Sequence, residues 1–203
     1  MPTIHTLPLG DYQTNTYIVH GDQKACVIID PGFEPQTILN KVASLNLTVD
    51  AVLLTHGHFD HVGGVEQILR ATGCQLWISK RDCSDPSDPM IRYFYPLTDC
   101  DIANVSFCAD GEKIHAGGLT FMVMSTPGHT QGSVCYLCDD ALFSGDTLFA
   151  GSCGRTDLPG GDWNTIQKSL GRLAALDGDF TVYPGHGGAS TLSRERQFNP
   201  YMR

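Results

Sequence analysis

No run of Lys or Arg occurs anywhere in the chain, no apolar stretch approaches the length of a bilayer, and only 17% of the 203 residues are charged. Each shortage excludes something. A protein that grips a phosphate backbone usually carries a basic stripe. Here 13 basic residues face 22 acidic ones, for a formal charge of −9, so nucleic acid is not an expected partner. The longest apolar runs, such as "CVIID" and "AVLLT", are far too short to span a membrane, and no membrane association is expected. The N-terminal "MPTIHTLPLG" lacks both a basic n-region and an apolar h-region, which predicts a cytoplasmic protein without a signal peptide. Low-complexity segments and short repeats are also missing. With 41% hydrophobic residues, the length suits one sizeable core, and residues 1–203 are expected to form one domain.

The eight cysteines, at 26, 74, 83, 100, 108, 135, 138 and 153, are scattered rather than framed, so free buried thiols are expected. Cys135 and Cys138 have C-x-x-C spacing but lie in a strand-like run, "SVCYLCDD". Residues three apart on a strand face opposite sides of a sheet, so this pair makes no zinc knuckle.

The chain alternates short strands with amphipathic helices. Strands are predicted at 15–20, 25–30, 50–55, 75–79, 119–125, 133–138, 141–144 and 180–183. Several are continuously apolar, as strands covered on both faces should be. Helices are predicted at 35–46, opening on Pro35, at 62–72, and at 163–176 behind a cap at Asp162. The segment 81–104, with three prolines and the aromatic cluster Tyr93, Phe94 and Tyr95, reads as a long loop or short helical excursion. Two readings stay open for it, lining the active site or forming a plain surface insertion.

Straight after the strand at 50–55 comes "LTHGHFDH", which places His56, His58, Asp60 and His61 within six positions. His56 and His58, one residue apart, can aim both rings at one point, and Asp60 and His61 can aim at a second. Clustered imidazoles become favourable when a cation draws on their lone pairs, and imidazole with carboxylate suits zinc, iron or manganese. Three more fragments put a potential ligand just past a predicted strand: His129 in "STPGHT", Asp146 in "FSGDTLF" and His186 in "VYPGHGG". Five histidines and two aspartates suffice for two metal sites. His5, His20 and His115 fall outside this pattern and are expected to be ordinary polar residues.

The pattern T-H-x-H-x-D-H followed by H, D and H resembles the metallo-β-lactamase superfamily, from "DPG" at 30–32 to "PGHGG" at 184–188. The resemblance implies an α/β fold, an αββα sandwich of two mixed sheets flanked by helices. It also implies that His56, His58 and His129 bind one metal, that Asp60, His61 and His186 bind a second, and that Asp146 bridges them. Two divalent ions per chain are therefore expected, zinc first, with iron or manganese as alternatives. Within the superfamily, "SGDTLFAGSCGRTDLPGGD" (144–162) looks like the glyoxalase II-like branch, which hydrolyses glutathione thioesters, and like the sulfur (persulfide) dioxygenases. The chain resembles the short, hydroxyacylglutathione hydrolase-like members, because it ends soon after His186 without the family's C-terminal helical glutathione-binding extension.

The expected activity is hydrolysis of a small thioester, S-lactoylglutathione or a related acyl thioester, by a metal-bridging hydroxide. No Ser or Cys nucleophile is then needed, and a thiol leaves as thiolate without a strong acid. Asp60 and Asp146 are the expected catalytic carboxylates. Asp30 is a candidate to hold the imidazoles in place, and Arg155 a candidate to bind a substrate carboxylate through its fork. Cys153 is expected to be packed rather than catalytic. The alternatives are a mononuclear-iron persulfide dioxygenase using His56, His129 and Asp146, and a hydrolase of another ester or lactone.

Overall fold

The computed structural model describes residues 1–83, 89–97 and 104–202. Two sheets lie face to face, each covered on its outer side by helices. Six strands lie side by side in chain order in the first sheet: β1 (Thr3–Leu9), β2 (Thr14–His20), β3 (Ala25–Ile29), β4 (Thr48–Leu53), β5 (Gln75–Ile78) and β6 (Val105–Phe107). Antiparallel pairing joins β1, β2 and β3, whereas β3 to β6 run parallel. Parallel neighbours need crossovers. Helix α1 (Pro35–Ser44) makes the one between β3 and β4; α2 (Phe59–Val62) and α3 (Val65–Thr72) make the next. The expected helical span at 62–72 is helical only from Val65, and the separate short helix α2 ends at Val62. Gly63 and Gly64 break it, and the Gly64 N–H turns to the Pro31 carbonyl at 2.8 Å. The break lets Asp60 and His61 sit on their own short turn.

After α4 (Pro89–Phe94) comes the second sheet, built from β7 (Lys113–Ala116), β8 (Leu119–Ser125), β9 (Val134–Cys138) and β10 (Ala141–Gly145). A small hairpin, β11 (Leu148–Phe149) with β12 (Ser152–Cys153), follows and precedes helix α5 (Trp163–Ala174). Strands β13 (Thr181–Pro184) and β14 (Ser190–Thr191), then helix α6 (Leu192–Phe198), complete the layer. The sheet order is β14-β13-β10-β9-β8-β7, with β10 and β13 parallel.

Three apolar clusters correspond to the three interlayer spaces. Ile38, Val42, Val65 and Ile68 of α1 and α3 pack on Ile28, Val52 and Leu76 of the first sheet. Val27, Ile29, Leu53, Phe121, Tyr136 and Phe143 fill the space between sheets. Ile166, Leu170 and Leu173 of α5 meet Cys135, Leu142 and Val182 on the far side. Each such side chain contributes about 1.5–3 kcal/mol on burial. The Asp162 carboxylate caps α5 by accepting from the Thr165 N–H at 2.7 Å. Cys135 and Cys138 fall in different clusters, on opposite faces of β9. Cys26, Cys74, Cys108, Cys135, Cys138 and Cys153 are free thiols, and Cys100 lies outside the described residues.

The strand set is wider than the periodicity predicts. β1, β6, β7, the short pair β11–β12 and β14 were not among the expected strands. β1 contains Pro8 and sits at a sheet edge, where a missing N–H is tolerated.

Candidate metal centre

The candidate ligands meet because they follow strand ends that gather at one rim of the two sheets. Asp30 follows β3, His56 and His58 follow β4, His129 follows β8, Asp146 follows β10, and His186 follows β13. Binding sites in sheets flanked by helices favour this carboxyl edge. All of the ligand candidates read from the sequence come together there. His56, His58 and His129 form one group and Asp60, His61 and His186 another, each with ligand atoms within 4.8 Å of one another. Asp146 reaches both: its Oδ1 lies 3.4 Å from His61 Nε2, and its Oδ2 lies 3.5 Å from His129 Nε2 and 3.6 Å from His186 Nε2.

Four of the five imidazoles are anchored through Nδ1, which turns Nε2 toward the common centre. His56 Nδ1 meets the Thr55 hydroxyl at 3.0 Å, and His61 Nδ1 meets Asp30 Oδ2 at 2.9 Å. His129 Nδ1 meets the Arg155 carbonyl at 2.7 Å, and His186 Nδ1 meets the Tyr12 carbonyl at 3.1 Å. His58 is the exception. Its Nδ1 faces His129 Nε2 at 2.9 Å, so two ring nitrogens approach each other as ligands of one cation do. Among the described residues, the buried side-chain nitrogens and oxygens without a hydrogen-bond partner are His56 Nε2, His58 Nε2, His61 Nε2 and Asp146 Oδ1. Unsatisfied buried polar atoms are costly and rare. Three of them, His56 Nε2, His61 Nε2 and Asp146 Oδ1, with His58 Nδ1 facing His129, supply borderline nitrogen and hard oxygen donors that fit divalent metals of the zinc, iron and manganese kind.

The two groups differ electrostatically. Burial pushes His56 well below its ordinary pKa, and nearby His61, His129 and His58 push the same way. Burial, then His129, holds His58 down at about 3. His61 goes the other way: burial opposes its charge, yet Asp146 and Asp30 outweigh it and raise the pKa well above the ordinary value. Burial likewise opposes charge on His186, but the hydrogen bond to Asp60 and the charge of Asp146 raise it. Asp60 is buried enough to favour its neutral form; bonding to His186 and the charge of His61 reverse that and lower it. Asp146 is lowered as well, with burial again outweighed, here by His61 first.

Asp30 lies directly against His61. With a left-handed φ of 49° and 1% exposure, it accepts from the Thr55 N–H at 2.7 Å, the Thr55 hydroxyl at 2.6 Å and His61 Nδ1. Its lone pairs are committed to these partners, so it orients His61 rather than competing for a cation.

Sequence reasoning missed three residues. Asp82, 1% exposed, accepts from the N–H of Gly57 at 3.0 Å, the Thr130 hydroxyl at 2.6 Å and the N–H of Gly132 at 2.8 Å. It thereby joins the turn holding His56 and His58 to the turn holding His129. A Cβ at Gly132 would lie 2.5 Å from Asp82 Oδ1, which is why glycine stands there. Asn15 donates from Nδ2 to the carbonyls of Pro184 at 3.0 Å and Gly187 at 2.8 Å, fixing the His186 turn to β2. Glu195 of α6 accepts from the Gly151 N–H at 2.7 Å and so holds the β11–β12 hairpin. No local pattern marks any of the three, because each acts on a segment distant in sequence.

An open cleft of about 520 Å³ leads to this floor. Tyr12, Phe59, Tyr93 and Phe94 line one wall; Phe149, Cys153, Arg155 and Leu158 line the other. Part of the segment 81–104 therefore lines the cleft, while 84–88 and 98–103 lie outside the described residues. Arg155 is present, but its fork is closed on Asp157, with Nε and Nη2 each 2.7 Å from a carboxylate oxygen. That pairing occupies one edge of the guanidinium, so a substrate carboxylate would meet the Nη1 side with Asp157 alongside it. Burial raises the Cys153 thiol, which keeps it protonated. His5, His20 and His115 lie elsewhere, with His5 stacked on His20 and His115 bonded to Thr120.

A family model described as the metallo-beta-lactamase superfamily matches residues 9–186. Among curated proteins, the hydroxyacylglutathione hydrolase GloC of Haemophilus influenzae is 32% identical over 98% of this chain and 97% of its own. The solved BLEG-1 B3 metallo-beta-lactamase superposes with a TM-score of 0.87 at 33% identity, over 98% of this chain and 99% of that one. TTHA1623 in a di-iron-bound form gives 0.82 at 35%, over 97% and 99%. ETHE1 from Myxococcus xanthus gives 0.82 at 30%, over 98% and 83%. The relatives share the architecture and differ in the activities their names carry. The chain belongs to the metallo-β-lactamase superfamily.

Proposed function

We propose that the protein is a metal-dependent hydrolase of thioesters. The carrying observation is the convergence of two ligand groups on Asp146 at the floor of an open cleft whose one described thiol, Cys153, stays protonated. His56, His58 and His129 would hold one divalent ion, and Asp60, His61 and His186 a second, with Asp146 shared. When bound, such ions lower the pKa of water toward neutrality and polarise a carbonyl.

The chain's own groups account for the remaining chemistry. Water oxygen bonds to the carbonyl carbon, the C–S bond breaks, and its electron pair leaves on sulfur as a thiolate, which needs no strong acid. The water proton passes to Asp60, whose Oδ2 lies 3.2 Å from His186 Nε2 and 3.3 Å from the Thr14 hydroxyl. Asp30, Asp82 and Asn15 keep the floor from shifting as charge develops. The GloC relative and the "GSCGRTD" stretch support thioester over amide chemistry. Against a one-iron persulfide dioxygenase stand the donors it would leave over: His58, Asp60, His61 and His186 all face the same floor.

Metal analysis of the purified protein, paired with turnover of S-lactoylglutathione and of a neutral acyl thioester, tests the reading. About two ions per chain with release of free thiol is expected. One iron per chain, with persulfide-dependent oxygen uptake and no thiol release, would sink it.

A further inference from the structure

The cleft wall opposite Arg155 is a chain of touching aromatic rings. Tyr12 meets Phe59 edge-on at 5.2 Å, Phe59 meets Tyr93 at 5.6 Å, and Tyr93 meets Phe94 at 5.4 Å. The row ends at the metal floor, where Phe94 lies 6.4 Å from His58. Tyr12 is 56% exposed and Tyr93 65% exposed, so two large rings stand in water beside the site. Phe149 faces them from the other wall, 6.3 Å from His186. Exposed aromatics grouped at a cleft mouth mark a surface that something apolar covers.

Charge at the same cleft works against an anionic carrier. Glutathione brings two carboxylates and one ammonium. Among the described lining residues, Arg155 carries the only guanidinium or ammonium group, and its Nε–Nη2 edge is taken by Asp157, whose charge offsets it. The Nη1 side of the guanidinium is left to a substrate carboxylate, but one cation already paired with Asp157 gives little net attraction for two more carboxylates.

We infer that this site takes thioesters bearing an aromatic or bulky apolar group on an uncharged carrier, in preference to glutathione thioesters, and that Tyr93 with Tyr12 and Phe59 is the surface that selects them. This rests on the thioester reading above. The apolar group has two possible seats, the acyl side or the thiol side. In either, its face or edge packs on the ring row while the thioester carbonyl reaches the floor beyond Phe94.

The test uses the metal-loaded protein and three substrates. These are the phenylacetyl thioester of N-acetylcysteamine (aryl on the acyl side), the acetyl thioester of benzyl mercaptan (aryl on the thiol side), and S-lactoylglutathione. At least one aryl substrate is expected to exceed S-lactoylglutathione in kcat/KM by about tenfold, and whichever does so identifies the seat. Tyr93→Ala should cut that preference by roughly fivefold to tenfold, the scale of an aromatic contact, and Tyr93→Phe should keep it. Preference for S-lactoylglutathione, or an equal loss on all three substrates in Tyr93→Ala, overturns the inference. Its fate is separable from that of the thioester reading through the thioether S-benzyl-N-acetylcysteamine, which cannot be hydrolysed. If no thioester turns over, that reading fails, and weaker calorimetric binding of the thioether to Tyr93→Ala than to wild type still supports the aromatic subsite. Equal binding to both proteins overturns it.

Discussion

The floor of the cleft and its rim are built on opposite plans. On the floor, His56, His58, His61 and His129 are 3% exposed or less, and four of the five converging imidazoles are anchored through their outward nitrogen. At the rim, Tyr12, Tyr93 and Arg155 stand in solvent, held by ring contacts and one exposed ion pair. The lesson is a division of labour. Preorganised, dry donors fix where chemistry happens, and a loosely tethered wall decides what is brought to it. Rims of this kind can change without disturbing the floor, which accords with one architecture carrying the differently named activities of the relatives above.

The comparison breaks most severely at the floor. His58→Ala removes a donor that no neighbour replaces, and turnover with bound metal should fall together by roughly a hundredfold or more, beyond the usual loss from an outer support. Dialysis against a chelator should reproduce that loss in the wild type and lower its melting temperature, because a ligand bound only by the folded state stabilises it. Metal content measured beside thiol release checks both. An intermediate effect is expected at Asp82. Asp82→Ala leaves the N–H groups of Gly57 and Gly132 without their acceptor, each costing about 1–3 kcal/mol, and frees the His58 turn from the His129 turn. Bound metal should drop from two ions toward one while the Asp60, His61 and His186 group keeps its own. Equal loss from both groups would show that Asp82 supports the fold at large rather than one half of the centre. The smallest effect belongs to the rim cation. Arg155→Ala should leave metal content and melting temperature unchanged and raise KM only slightly, since its fork is already engaged by Asp157. A large rise in KM confined to carboxylate-bearing substrates would restore the substrate clamp expected from the sequence.

How much could be read in advance follows the same division. His56, His58, Asp60 and His61 announce themselves because four ligand types crowd one turn. His129, Asp146 and His186 do so because each follows an apolar strand in a glycine-containing turn. Layer order was legible too, since continuously apolar strands such as β9 and β10 must be covered on both faces. Illegible were the residues whose meaning comes from a distant partner. Asp82 looks like one more acid in an acidic, proline-rich stretch, and only the approach of Gly57 and Gly132 gives it work. Arg155 had the right chemistry for an anion clamp, but Asp157, two residues on, takes the Nε–Nη2 edge of its guanidinium. The helix expected at 62–72 failed at its start because hydrophobic spacing is indifferent to the Gly63–Gly64 break that tertiary contact with Pro31 requires.

The bonds from Asn15 to the carbonyls of Pro184 and Gly187, with the bridge between Thr14 and His186, span separations of about 170 residues. They act as a clasp between the two ends of the chain. During synthesis the histidine-rich turn emerges long before its last ligand, so the complete centre cannot exist until the final strands have docked. Contacts so remote in sequence are slow to form, and metal capture can reward only the molecule that has formed them. An ion that takes His186 as a ligand would therefore be held only after these last strands have docked on β2.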